Sequence, residues 1–486
     1  MTIKKIIACL LSALVAASGC AMGASAAEGA AYEVPYQSFT YDKWGNAVPA
    51  PNGYFPERSI RGSDLGYGDF NAATDLFYYE EGQELYVADS GNNRIVVMTA
   101  DYEPVAVLET LDNHGEEVTL NNPTGVFVRK DAVYIADQGN ARVIICDKAG
   151  KISAIYGKPE SVLLDEGLDY KPSKVVVDDF GKIYVQAVGS YQGLMCLNAD
   201  GTFLNYYGSN KVEMTAKMIV QKIWRLFLTD EQVATMQNFV PVEYSNAYLD
   251  HEDFIYATAA ASATNSNLIV KLNPLGINIF RTKGSGVRLW YQNSTFSDIT
   301  VDENGLISVV DNVRGRVYQC DENGVLMFAF GGIGNQLGLF QTPSSIVGVG
   351  DKLLVLDSTK NDITEFALTS FGETVQSAIQ LYNEGRYQEN IEPWQEVIKR
   401  DANYLLAYTG IGKAYYQLEE YEEAMKYYKL ANDKQGYSDA YKEYSLNAMR
   451  ENFGWIVGGI VLLLIVIMVL RRLWKRRKAK RGGKTA

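Results

Sequence analysis

The sequence predicts a mainly β fold, a six-bladed β-propeller with a helical insert, followed by an α-helical module and one transmembrane helix. Three observations lead there. The stretch LYVADSGNNRIVVM at 85–98 returns 48 residues later as VYIADQGNARVIIC at 133–146. A strand–turn–strand unit recurring at about 50 residues is the pattern of a propeller blade. Residues 371–450 lose their β-branched side chains and become rich in Ala, Glu, Lys and Tyr, and residues 453–470 carry no charge at all.

The two ends set the expected orientation. Lys4 and Lys5, the apolar run from Ile6 to Ala17, and Ala24-Ser25-Ala26 predict a signal peptide over 1–26. Ala17-Ser18-Gly19-Cys20 offers lipoprotein processing as the alternative. Phe453 to Leu470 are 18 residues, roughly the minimum that crosses a hydrocarbon core. Arg471, Arg472, Lys475, Arg476, Arg477 and Lys478 follow, which predicts that the tail 471–486 stays in the cytoplasm and the N-terminal domains lie outside. The leader holds 2 and the tail 9 of the 45 basic residues, and all 58 acids lie between, so the segment between is near −24. Such a surface excludes nucleic acid as a partner. Cys146, Cys196 and Cys320 have no metal or disulfide spacing and read as small core residues.

Six units can be followed along the chain. After 85–98 and 133–146 come IYVQAVGSYQGLMC at 183–196, with Ala187 and Gln192 in place of Asp and Arg, and a longer-turned unit at 254–272. ISVVDNVRGRVYQC at 307–320 and LLVLDSTKNDITEF at 353–366 complete the set. Short apolar strands precede them at Gly125–Val128, Lys174–Val177, Asp298–Val301 and Ser345–Val349, several after a proline. Alternating, β-branched strands joined by Asx- and Gly-rich turns suit blades packed face to face. The sixth unit lacks a fourth strand, and Gln37 to Tyr41 is expected to supply it and so close the ring. The gap between the third and fourth units predicts a helical insert at 211–239, its apolar face packed on a blade or serving as a docking surface.

These residues resemble the NHL-repeat family of six-bladed propellers over about 33–368, within the gluconolactonase-like bacterial superfamily. The Tyr-x-Ala-Asp-x-Gly-Asn-x-Arg turns carry the resemblance, as does the inter-blade run from Phe328 to Ile346, Phe-Ala-Phe-Gly-Gly-Ile-Gly-Asn-Gln-Leu-Gly-Leu-Phe-Gln-Thr-Pro-Ser-Ser-Ile. Within it, Asp89 with Arg94, Asp137 with Arg142 and Asp311 with Arg316 are expected to stabilise turns. The stretch 371–450 resembles tetratricopeptide repeats: Gly385-Arg386-Tyr387 matches Glu419-Glu420-Tyr421 at a spacing of 34, and Trp394 matches Tyr428. Asn390 and Ala402 depart from that pattern. A final helix over Ser438–Met449 is expected to lead into the membrane.

No catalytic set stands out. His114 and His251 are the only histidines, too few for the three-histidine zinc site that the resembling amidating lyases use. Gluconolactonase-like propellers hold a divalent cation at the tunnel mouth on oxygens from the starts of the inner strands. The corresponding residues are Asn122, Lys171, Asn246, Asp298 and Thr342, of which one is a carboxylate and one a cation. Tyr191, Trp290 and Tyr291 could stack on a sugar. The expected function is therefore a membrane-anchored extracytoplasmic binding or scaffold protein, engaging a protein near the membrane or a cell-wall carbohydrate, as an accessory of an envelope or solute-uptake system. No cofactor is expected. The alternative is a metal-dependent lactonase, for which a divalent cation would be needed.

Overall fold

The computed structural model describes residues 34–42, 44, 46–164, 167–208, 243–259, 268–280 and 294–482. The leader, the 211–239 insert, Trp290 and Tyr291 lie outside the described residues. The described chain forms two compact units, one running to Gln376 with Lys399–Asn403, the other comprising Ser377–Ile398 and the rest from Tyr404.

The first unit is a six-bladed propeller. Blade one is β4 (Asp75–Tyr79), β5 (Glu84–Asp89), β6 (Arg94–Thr99) and β7 (Pro104–Leu108), paired in that order. Blade two is β10 (Pro123–Arg129), β11 (Ala132–Asp137), β12 (Arg142–Asp147) and β13 (Ile152–Tyr156). Blade three is β14 (Pro172–Val177), β15 (Ile183–Ala187), β16 (Leu194–Leu197) and β17 (Phe203–Tyr207). Blade four shows three strands among the described residues, β18 (Tyr244–Leu249), β19 (Ile255–Ala259) and β20 (Ile269–Leu272). Blade five is β21 (Phe296–Val301), β22 (Ile307–Asp311), β23 (Arg316–Cys320) and β24 (Leu326–Gly331). Blade six has β25 (Pro343–Val349), β26 (Lys352–Asp357) and β27 (Asp362–Leu368). The six first strands neighbour one another in a circle, with β25 returning to β4.

The strand that closes blade six is not Gln37–Tyr41. It is β3 (Tyr54–Arg61), which pairs antiparallel with β27 from Arg61 opposite Asp362 to Tyr54 opposite Leu368. The expected segment forms β1 (Phe39–Tyr41), which with β2 (Ala47–Pro49) adds two strands to the outer edge of blade five, Phe39 lying opposite Ala329. The physical reason is length. β3 offers 8 residues to a 7-residue edge strand, whereas β1 has 3 residues and can satisfy only a fragment of an edge. A further hairpin, β8 (Thr110–Asn113) and β9 (Glu116–Thr119), stands between blades one and two and turns at exposed His114.

Blade-to-blade packing is apolar. Ile60, Leu76, Leu85, Val87, Leu354 and Ile363 join blades six and one in a single core cluster. Cys146, Cys196 and Cys320 are buried free thiols in β12, β16 and β23. The hairpin turns share one device. Asp147 Oδ1 accepts the amides of Ala149 (3.0 Å) and Lys151 (2.8 Å), and Asp321 Oδ1 those of Asn323 (3.0 Å) and Val325 (2.7 Å). Gly150 (φ 81°) and Gly324 (φ 75°) then take the left-handed conformation that the turn requires.

The C-terminal helices are α1 (Ser370–Asn383), α2 (Tyr387–Arg400), α3 (Leu405–Gln417), α4 (Tyr421–Leu430), α5 (Lys434–Glu451) and α6 (Phe453–Gly482). In the second unit, glycines make room for aromatic rings: a Cβ on Gly410 would strike the Trp394 indole at 2.4 Å, and one on Gly412 the Tyr428 ring at 2.9 Å. Asp433 caps α5 by accepting the Gly436 amide at 3.0 Å. Within α6, Phe453–Arg476 is 24 residues, long and apolar enough to cross a membrane, with its apolar side chains exposed.

Candidate functional site

The first strands converge on a polar hub, built on a repeat within each strand. Thr74, Thr124, Ser173, Ser245, Ser297 and Ser344 occupy equivalent positions, and in blades two to six the register shifts there. A bulge turns the side chain away from the ladder and toward a neighbour. Five of the six hydroxyls donate to a carbonyl of the following blade: Thr74 to Thr124 (3.2 Å), Thr124 to Pro172 (3.3 Å), Ser245 to Phe296 (2.5 Å), Ser297 to Pro343 (2.9 Å) and Ser344 to Ala73 (3.1 Å). Ser173 donates within its own blade, to Gln186 (3.3 Å). These hydroxyls link the sheets around the ring where no ladder can.

The next residue of each strand is Asp75, Gly125, Lys174, Asn246, Asp298 and Ser345. Asp75 is touched from blades two, three and six, which is possible only where the blades meet. Its Oδ2 accepts the Val126 amide (2.9 Å), its Oδ1 the Lys174 ammonium (2.5 Å), and the Ser345 hydroxyl lies at 3.4 Å. Lys174 reaches Asp75 past blade two, where Gly125 presents no side chain; a Cβ there would lie 3.0 Å from the Lys174 Cα. Ser345 also donates to Asp298, whose Oδ2 takes the Ile346 amide at 2.8 Å and Oδ1 its neighbour Ile299 at 2.8 Å. Lys174 and Asp75 side chains are 9% and 2% exposed.

Burial in this hub pushes the Asp298 carboxyl up to about 6, against the opposing pull of Lys174. Burial would lower the Lys174 ammonium, but the Asp75 and Asp298 charges outweigh it and the net shift is upward. The hub is therefore an ion pair with a second, reluctantly charged acid beside it.

The five sequence-predicted mouth residues do not form one set. Asn122, Lys171 and Thr342 lie in the turns just before β10, β14 and β25, whereas Asn246 and Asp298 lie three positions deeper, inside β18 and β21. Glu243 and Thr295 hold the mouth positions of blades four and five. Asn122 Nδ2 donates to Gln138 Oε1 (3.2 Å), Lys171 pairs with Asp169 (2.5 Å), and Thr342 Oγ1 accepts from Thr359 (2.8 Å). A divalent cation needs several free oxygens and no competing ammonium. The hub oxygens are already engaged and Lys174 stands among them, so these residues do not fit a cation. Among the described residues no group of three or more His, Cys, Asp or Glu could hold a metal. His251 is exposed in the turn between β18 and β19.

The turn aspartates act structurally. Asp89 binds Arg94 Nε at 2.7 Å and the Asn71 amide at 2.7 Å; Asp137 binds Arg142 Nε at 2.7 Å and the Asn121 amide at 2.8 Å. Gly91 and Gly139 are needed there, because a Cβ on either would meet a loop carbonyl at 2.6 Å. Blade five differs. Asp311 is bound by Arg314 at 3.2 Å, and Arg316, though opposite Asp311 in register, places its guanidinium over the Phe39 ring at 4.9 Å.

A second polar cluster sits where the ring closes. Buried Glu365 on β27 meets Arg58 on β3 (3.1 Å), Lys352 on β26 (2.8 Å) and the hydroxyl of Tyr102 from blade one. Burial alone would raise its carboxyl, but the hydrogen bonds from Lys352, Tyr102 and Arg58 prevail and hold it at about 2.

The hub residues Asp75, Lys174 and Ser345 were not singled out by sequence reasoning. The signal was present as a Ser or Thr two residues before an aliphatic residue at the start of each inner strand, from Thr74 to Ser344.

No family model and no curated protein matches the chain. Solved structures similar to it include virginiamycin B lyase from Staphylococcus aureus (12% identity, TM-score 0.39, covering 64% of this chain and 99% of that one). A provisionally named gluconolactonase is similar at 13% identity and TM-score 0.39, covering 66% and 94%. The Cps50 (Swd1) propeller domain of Myceliophteria thermophila is similar at 10% identity and TM-score 0.38, covering 65% and 100%.

Proposed function

We propose that this chain is a membrane-anchored binding or scaffold protein, its propeller and helical module outside the cell and its basic tail in the cytoplasm. The observation that carries the reading is the filled hub: beneath the mouth, at the centre of the ring, Lys174, Asp75, Ser345 and Asp298 satisfy one another and leave no open set of oxygens. The two ends of the ring and its outer rim are then the surfaces left for recognition. The helices α1–α5 support a recognition role if they are tetratricopeptide repeats, as the Trp394–Gly410 and Tyr428–Gly412 fits agree with. The 24-residue apolar segment of α6 would fix both modules to the membrane. The partner is a protein in or near the membrane, with a cell-wall or other sugar ligand as the further expectation. Exposed Tyr191 remains the described aromatic to test for sugar stacking.

The lactonase alternative requires an oxygen-lined cation site, and an ammonium stands against one at both levels, Lys171 at the mouth and Lys174 in the hub. Crosslinking on intact membranes followed by purification of the full chain tests the choice. A stoichiometric membrane partner is the expected result. A partnerless protein that opens lactones only with added divalent cation would overturn the reading.

A further inference from the structure

The added strands of blade five build a pocket that the ring itself does not need. A cavity of about 430 Å³ lies between β1–β2 and the turn that follows β24, with Tyr36, Phe39, Pro49, Ile333 and Leu339 among its walls. That volume falls in the range of small-molecule sites. Its apolar walls are held in place. Leu339 fills the space over Gly332 and Gly334, where a Cβ would meet it at 3.2 and 2.6 Å. The turn is tied by Phe340 N to Gly332 O (2.8 Å) and Gly334 N to Phe340 O (2.9 Å). Gly338, at φ 85°, sits against Pro56 and Tyr36.

Among the lining residues Arg316 is the single charged group. Its equivalents Arg94 and Arg142 are held by Asp89 and Asp137, but in blade five Arg314 takes Asp311 instead. No carboxylate pairs with Arg316 among the described residues, and its guanidinium carbon lies over the Phe39 ring, 4.9 Å from the centroid, in the pocket wall. A planar cation fixed against a ring presents its N–H fork for bidentate binding of a carboxylate. We propose that this pocket binds a carboxylate with an apolar or aromatic body, the acid on Arg316 and the body against Tyr36, Pro49 and Ile333. The ligand is either a free acid or the carboxyl end of a peptide. The site does not depend on the partner proposed above, and it would stand if that partner were absent.

The test is calorimetric titration of the detergent-purified full chain with N-acetylphenylalanine, its amide, and a tripeptide ending in phenylalanine with free or amidated terminus. The acids are expected to bind at least about tenfold more tightly than their amides, the size of a lost hydrogen-bonded charge contact. Whichever acid is tighter identifies the source. R316Q should erase the acid–amide difference, R316K should restore part of it, and A47W, at an exposed lining position, should block all probes with melting unchanged. Equal binding of acid and amide, no saturable binding of any probe, or an acid preference that survives in a folded R316Q protein overturns the proposal.

Discussion

Two stretches of the N-terminal segment, only a few residues apart, play opposite parts in the propeller. β3 supplies the fourth strand of blade six, and Arg58 within it reaches the buried Glu365. β1 and β2 decorate blade five, which already has four strands, and contribute the wall of a pocket. The first is part of the fold; the second is an addition to it. Strand length and edge availability separate them: blade six without β3 leaves a 7-residue strand with one edge open, whereas blade five without β1 loses pairing at a short stretch of β24.

The sharpest way to break this contrast is truncation. Removal of the chain through Arg61 should abolish cooperative melting of the propeller, because it opens blade six, deletes Ile60 from the core and exposes Leu354 and Ile363. Removal through Pro49 should leave the melting transition in place and eliminate only the blade-five pocket. Calorimetry on both proteins checks this, and equal melting of the two would erase the distinction.

Next in size is the hub, which ties blades one and three independently of the seam. K174M leaves Asp75 buried without its cation and should cost about 3–5 kcal/mol of unfolding free energy, measured by urea titration. A loss below about 1 kcal/mol would mean that water reaches Asp75 freely.

The seam and the hub also respond to pH with opposite sign. Glu365 is held below its unfolded value of 4.5, at about 2, so its contribution is full above pH 4.5 and is lost as pH falls toward 2. Asp298 is raised from 3.8 to about 6, so the folded state holds the extra proton in that interval and stability declines as pH rises from 3.8 to 6. E365Q should remove the first slope and D298N the second, in melting temperature plotted against pH. Slopes unchanged by either substitution would refute the assignment. At neutral pH E365Q should cost about 1–2 kcal/mol, less than the hub change, because Arg58 and Lys352 are partly exposed and can rehydrate.

The smallest effect is expected from the hydroxyl ring. S297A removes one donor to Pro343 O and should cost about 1 kcal/mol, detected as a small shift in the urea midpoint with unchanged slope.

Much of this architecture was legible before any coordinates. The recurrence of Asp-x-Gly-Asn-x-Arg marks blades one and two because each residue type has one job there: Asp89 and Asp137 gather amides and a guanidinium, and Gly91 and Gly139 let a loop carbonyl approach. Local chemistry of that kind repeats when structure repeats. The hub was not legible in the same way. Asp75, Lys174 and Asp298 are separated by 99 and 124 positions, and nothing in the neighbourhood of any one of them announces the others. Asn246 and Asp298 were recognised as inner-strand oxygens but placed at the mouth, three positions short of where β18 and β21 carry them.

By itself, then, the amino-acid order determined the number of blades, the turn chemistry, the change to helices after residue 370 and the apolar span in α6, since all of these follow from short-range periodicity and composition. Tertiary structure alone decided which N-terminal strand closes the ring, which arginine each turn aspartate keeps, and how the centre is filled. Those outcomes depend on competition among distant groups for the same edge, carboxylate or space, and such competition is resolved only when the sheets are brought together.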